Sequence, residues 1–175
     1  LNRNVVSLNV QELRKAIYSG PLIQLVSDLS EYDFWGSLHF FTPNDVKRMK
    51  DEEYISELCL VIKEGIQNKK DRIEDFYQES EINFLDGELY RCVFDNVLTF
   101  LQPMANDLSK TRWRNKTDFY TLFYALSKIY DKLSLYSDNN NVIKDALINF
   151  SNKRSYLFMS ICFCFCFISH IIQFN

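Results

Sequence analysis

Four glycines and three prolines are the only strong backbone punctuation in 175 residues. A many-turned β fold places such residues at its reversals, so their scarcity favours long helices with few sharp turns. The length suits one compact domain and is enough to bury a real core without disulfide or metal staples. Hydrophobic residues make up 47% and charged residues 25%, the balance of a globular chain and not of a disordered one. Fifteen Phe and ten Tyr supply core volume, because each ring buries a large area.

Helix boundaries can be read directly. Asn9 is a good N-cap, and Glu12, three residues on, can reach back to a free backbone N–H. Val10, Leu13 and Ile17 then line the apolar face of a first helix, which Gly20-Pro21 stops. Leu22, Leu25, Val26 and Leu29 take core spacing in a second. "SEYDFWGSLHFFTPND" is aromatic and irregular, a connection packed down by its own rings, after which Thr42 caps and Pro43 opens the next helix.

"RMKDEEYISELCLVIKEGIQN" is strongly amphipathic, with Tyr54, Ile55, Leu58, Val61 and Ile62 as its stripe and Gly65 near its end. Asp51, Glu52 and Glu53 stand in its first turn, where the helix dipole favours them. A shorter helix follows around Ile73, Phe76 and Tyr77, and "DGELYRCVFDNVLTFLQP" gives another, ended by Pro103. Thr117 is placed to cap "DFYTLFYALSKIYDKL", whose Phe119, Leu122, Phe123, Leu126, Ile129 and Leu133 keep the helical period. "SDNNN" reads as a turn, and Val142, Ala146, Leu147 and Phe150 mark one more short helix. No internal repeat is visible. The expectation is an all-α bundle of roughly six to eight helices over residues 1–150, followed by an atypical hydrophobic tail over 151–175.

A net charge of −3 gives no global electrostatic reason to bind nucleic acid, so any such contact needs a local patch. The five cysteines show no metal spacing, and the expectation is reduced thiols in a cytoplasmic protein without a targeting segment. Cys59 and Cys92 fall in apolar helical stretches and read as small core residues.

Three stretches, "LNRNVVSLNVQELRKAIYSG", "RMKDEEYISELCLVIKEGIQNKKDRIEDFY" and "TRWRNKTDFYTLFYAL", in this order and at this spacing, resemble the N-terminal domain family of GmrSD-type restriction endonucleases. The likeness runs from Leu1 to about Leu135. It implies a ParB/sulfiredoxin-like domain followed by a helical region, in prokaryotic systems that cut modified or foreign DNA. Nucleotide hydrolysis belongs to the N-terminal part, and an HNH-type nuclease domain is often fused or encoded beside it. The family's Asp-Gly-Gln-Gln-Arg run is absent from these residues, as is an HNH motif; the only histidines are His39 and His170.

The resemblance therefore implies the helical portion of a defence protein whose ParB-like nucleotide-hydrolysing and nuclease parts lie elsewhere. Asn2, Gln11, Glu12 and Arg14 carry over as candidate edges of a nucleotide pocket, with Arg14 offering a planar fork of donors to phosphate. The alternative is a capped surface helix on which these residues are solvated. A nucleoside triphosphate and a divalent metal would belong to the intact family member, and no cofactor, metal or catalytic residue is assigned to this chain. Its partners would be DNA, through the intact protein, and an HNH-type nuclease.

"KTRWRNK" sets Lys110, Arg112, Arg114 and Lys116 around Trp113, cations that can neutralise phosphates beside a ring that can stack on a base. The alternative is a loop in which Trp113 packs into the core and the cations stay solvated. Asp51, Glu52, Glu53 and Glu57 do not read as a metal site, because consecutive helical carboxylates point apart and no histidine joins them. A solvated first turn is expected instead.

The tail "SYLFMSICFCFCFISHIIQFN" lacks acidic or basic side chains except His170, and Lys153-Arg154 stand before it. It reads as a frameshifted end, as a membrane span on length and flanking charge, or as a buried final element; the first is preferred. The rival to the defence-protein reading is a helical interaction module held at a membrane by this tail.

Overall fold

The computed structural model describes residues 7–66 and 71–152, apart from the side chains of 71 and 137–139. These residues form an all-α fold without a strand. The helices are α1 (Val10–Ile17), α2 (Pro21–Ser30), α3 (Asp33–Ser37), α4 (Pro43–Lys47), α5 (Lys50–Glu64), α6 (Asp71–Ile82), α7 (Gly87–Leu101), α8 (Ala105–Leu108), α9 (Lys116–Ser127) and α10 (Asn140–Asn152). Three 3-10 segments, Gln102–Met104, Arg112–Arg114 and Tyr130–Asn139, bridge the later helices. Ten α-helices exceed the six to eight expected, because α3, α4 and α8 are single turns inside stretches that read as connections or as parts of longer helices.

Helix α5 is the axis of the bundle. It packs against α1, α2, α4, α6 and α9. Its Tyr54, Ile55, Leu58, Cys59, Leu60 and Val61 are all buried, so apolar groups cover more of its circumference than a one-sided stripe would. Leu22, Leu25, Val26 and Leu29 of α2 meet it as their spacing predicts. Each such aliphatic side chain contributes about 1.5–3 kcal/mol when taken fully out of water. Helix α7 adds Tyr90, Val93, Phe94, Val97, Leu98 and Leu101 and lies against α2, α9 and the 3-10 segment Tyr130–Asn139.

The aromatic stretch after α2 packs down on itself and on α9. Phe34, Trp35, Phe40 and Phe119 meet with ring centroids 5.1–5.8 Å apart. The Trp35 indole donates to Leu29 O at 2.9 Å. Thr42 and Asp45 form a reciprocal capping box at the start of α4, with Pro43 in the first helical position. Met49, at φ 52, then turns the chain into α5 through a left-handed conformation.

Several expectations are corrected. The chain leaves α9 at Ser127, so Ile129 and Leu133 lie in or beside a 3-10 segment; Leu133 is still buried. Asn115 occupies the N-cap of α9 and Thr117 falls inside the helix. Cys92 is exposed, whereas Cys59 is buried. On α10, Ile143 and Leu147 face inward while Val142 faces water. Asp51 and Glu52 are not solvated, each being 6% exposed. Residues 153–175, and with them the tail, lie outside the described residues. No helix among the described residues is long and apolar enough to cross a membrane.

The largest correction concerns α1. An apolar stripe ordinarily faces the core. Here Val10, Leu13 and Ile17 face outward, and Gln11 and Arg14, 1% and 5% exposed, are the buried side.

Candidate functional site

The seat of α1 gathers most of the buried polar chemistry on α5 and α6. Helix α1 begins on its capping box, with Asn9 Oδ1 accepting from Glu12 N at 2.9 Å and Glu12 Oε2 accepting from Asn9 N at 2.7 Å. This fixes where the helix starts, and therefore which side chains point at the bundle. Gln11 Nε2 donates to the Tyr77 hydroxyl at 3.2 Å, and that hydroxyl lies 2.6 Å from Ser56 Oγ on α5. Ser56 Oγ bonds back to Glu52 O within its own helix.

Arg14 lies over the same ring, its guanidinium carbon 5.7 Å from the Tyr77 centroid. It donates through Nε to Glu74 Oε2 at 3.1 Å and through Nη1 to Gln11 Oε1 at 3.4 Å. The Tyr18 hydroxyl closes the group on Glu74 Oε1 at 2.6 Å, and its ring stacks on Tyr77 at 5.4 Å. Lys15 Nζ reaches Glu52 Oε1 at 2.5 Å, and Ser27 Oγ of α2 bonds the same oxygen.

The protonation of these groups suits a structural joint. Burial, above all, pushes the Tyr77 phenol up to about 12, and the hydrogen bond to the Glu74 carboxylate raises that of Tyr18. Both phenols are neutral near pH 7. Burial lifts the Asp51 carboxyl above its ordinary value, against the backbone N–H groups of Glu52 and Asp51, which lower it. Asp51 Oδ1 and Glu52 Oε2 are buried without a hydrogen-bond partner. Burial also raises the Cys59 thiol far above the range of a nucleophilic cysteine.

Of the residues carried over from the family likeness, the fold brings Gln11 and Arg14 together on Tyr77. Glu12 is set apart, in the cap and 3.3 Å from Arg48 Nε. Asn2 lies outside the described residues. With its guanidinium held by Glu74 and Gln11 and almost fully buried, Arg14 in this arrangement orients α1 and does not present its fork to a phosphate. Glu74, Tyr77, Ser56, Lys15 and Ser27 complete the seat and carry no local sequence signal, because they come from four helices.

The second candidate stretch does not form a stacking platform. Trp113 is buried, donates Nε1–H to Leu147 O at 2.9 Å and stacks on Phe150 at 5.5 Å. Arg112 pairs with Asp118 at 2.5 Å. Lys116 Nζ sits over the Phe41 ring at 4.9 Å, and its carbonyl accepts from the Tyr54 hydroxyl. Lys110 and Arg114 remain at the surface, Lys110 within 3.9 Å of Asp107.

Two adjoining open grooves, of about 380 and 410 Å³, flank Asp95, Thr99 and Pro103 on α7 and the segment after it. Their lining contains Asp33 and Asp95 and no cation, which is wrong for phosphate. Among the described residues no three His, Cys, Asp or Glu side chains gather where a metal ion could be held.

No family model, curated protein or solved structure matches the chain. The local geometry therefore carries the functional argument: a polar joint that locks a helix to the bundle with its apolar side turned out.

Proposed function

We propose that the chain is the helical part of a GmrSD-type, modification-dependent DNA restriction protein of prokaryotic anti-phage defence. Its work is to brace a ParB-like nucleotide-hydrolysing lobe, with an HNH-type nuclease beside it. The mounting of α1 supports this reading. The stretch that carries the family likeness turns its polar residues into the bundle and leaves an apolar stripe outward, which suits a helix lying between two bodies. The reaction centre, with its nucleoside triphosphate and divalent metal, belongs to the lobe. DNA is reached through the intact protein, to which Lys110 and Arg114 add surface charge, and the setting is the cytoplasm.

The test compares the polypeptide read from the frame extending upstream of Leu1 with the 175-residue chain alone. Nucleotide hydrolysis confined to the longer polypeptide is expected, lowered several-fold by Arg14→Ala through the loosened joint. Turnover by the purified 175-residue chain would overturn the reading. Lys110→Glu with Arg114→Glu is expected to weaken DNA binding of the intact system and flatten its salt dependence; an unchanged salt slope removes DNA contact from this face.

A further inference from the structure

No described residue covers the outward face of α1. Leu8, Val10, Leu13 and Ile17 are between 44% and 68% exposed, and Val46 on the adjoining α4 is 54% exposed. The sequence holds a second apolar feature, the run from Ser155 to Asn175, with no acidic or basic side chain except His170. That run lies outside the described residues. We infer that this C-terminal tail is the cover of the α1 stripe, so that the chain seats its own apolar end. Nothing beyond these 175 residues is needed, and the seat is independent of the scaffold reading.

Reach favours this seat. Helix α10 ends at Asn152, with Phe150 stacked on Trp113 at 5.5 Å. Three residues on, Lys116 Nζ lies 4.9 Å from the Phe41 ring, and α4 begins just after that ring at Pro43. Arg48, the C-cap of α4, accepts from Asn9 Nδ2 at 2.6 Å and donates to Ser7 O at 3.0 Å, on either side of Leu8. The links of this path add to no more than on the order of 40 Å. The 23 residues from Lys153 to Asn175 can span about 75 Å. About twelve of them reach Leu8, and the rest are enough to lie along α1, which is about 12 Å long.

Charge selects the stripe over other apolar surface. Glu12 is held by Asn9 N and Arg48, and Lys15 by Glu52 and Ser27, so an uncharged segment laid on α1 strands no ion. The grooves along α7 would set the same segment on Asp33 and Asp95. Exposed Ile82 and Leu85 stand beside Glu81, Asp86 and Glu88 in the chain. Area argues against a second copy. The outer face of α1 covers on the order of 100 Å², whereas a complex between separate proteins uses about 800 Å² on each side. A tethered segment meets the stripe at an effective concentration on the order of millimolar, whatever the protein concentration.

The tail carries its own reporters, Cys162, Cys164 and Cys166. Val10→Cys and Ile17→Cys, made singly in the full chain, are oxidised mildly and their disulfides mapped by peptide mass. A thiol in a filled seat meets its partner at an effective concentration on the order of 1 M, against on the order of millimolar for a free tether. A seat filled about half of the time therefore favours the bridge well beyond tenfold, while adding little to the stability of the bundle. At least one new thiol is expected to bridge to a tail cysteine at least about tenfold faster than exposed Cys92 does, independently of protein concentration. It should equally outpace Val142→Cys, an exposed position nearer the tail along the chain. Adding Ile17→Lys to Val10→Cys is expected to return the bridge to the Cys92 rate, and a preference that survives this charge overturns the seat. Equal rates in both single variants overturn it as well. Bridges that form only between chains overturn it in favour of a second copy, and equal rates in a chain that needs detergent to stay in solution do so in favour of a membrane.

Discussion

Asp51 and Asp45 sit near the starts of neighbouring helices and respond to pH in opposite directions. Burial raises the Asp51 pKa, so its ionisation counts against the fold at every pH above the folded value and stops doing so below the ordinary carboxylate range. Asp51→Asn is therefore expected to raise stability by about 1 kcal/mol at neutral pH, with the gain closing as the pH falls through the raised pKa. The Thr42 hydroxyl and backbone N–H hold Asp45 down at about 2. Its contribution is complete above the ordinary value and is lost as the pH falls through about 2, so Asp45→Asn should cost about 1 kcal/mol at neutral pH and nothing in strong acid. Urea titrations of both variants across the acid range check the two signs. The Thr42–Asp45 cap is legible in "TPND" because every partner is local. The burial of Asp51 is not, since three consecutive acids look like a solvated first turn until α1 and α2 are laid across them.

At the scale of elements, the sequence located helices better than it oriented them. The caps of α1 and α4 and the end of α5 at Gly65 are local devices and read correctly. The inward face of α1 did not, because periodicity identifies the apolar side of a helix and cannot know what its groove offers. Here the groove presents Tyr77, Ser56 and Glu74, which satisfy Gln11 and Arg14. The turn from α1 into α2 depends on the same contact with α6. Gly20 N and Ser19 N donate to the Glu81 carboxylate at 2.8 and 3.1 Å. A Cβ on Gly20 would collide with that carboxylate and come within 3.2 Å of the Glu81 Cα. Gly20→Ala is expected to cost about 1–2 kcal/mol by forcing the end of α6 away, read as a lowered urea midpoint with unchanged slope. Ile17→Lys, on the outer face, should leave the stability of the chain within about 0.5 kcal/mol.

For the whole molecule, the two tryptophans tie different segments into the same core. Trp35 ties the aromatic stretch to α2 through Leu29 O, and Trp113 ties the 3-10 segment to α10 through Leu147 O. Trp35→Phe and Trp113→Phe each lose that hydrogen bond and part of a buried ring and are expected to cost about 1–3 kcal/mol. The remaining indole should report the same midpoint as far-ultraviolet circular dichroism in each variant; separated midpoints would mean that the surroundings of that indole unfold apart from the rest. The all-α architecture followed from the scarcity of Gly and Pro, and the heavy aromatic content went largely to this core. The sequence alone left the role of Trp113 undecided, because an indole between cations can serve a base or a core, and its contacts with α10 decide it.

The joint under α1 also fixes its aim. A rod resting on oily side chains can roll about its long axis with little penalty, since such contacts have no direction. One pinned through Gln11, Arg14 and Tyr18 to a single phenol and a single carboxylate has one azimuth. Whatever rests on Leu13 and Ile17 accordingly meets them at a preset angle, and its orientation relative to the bundle is decided before it arrives.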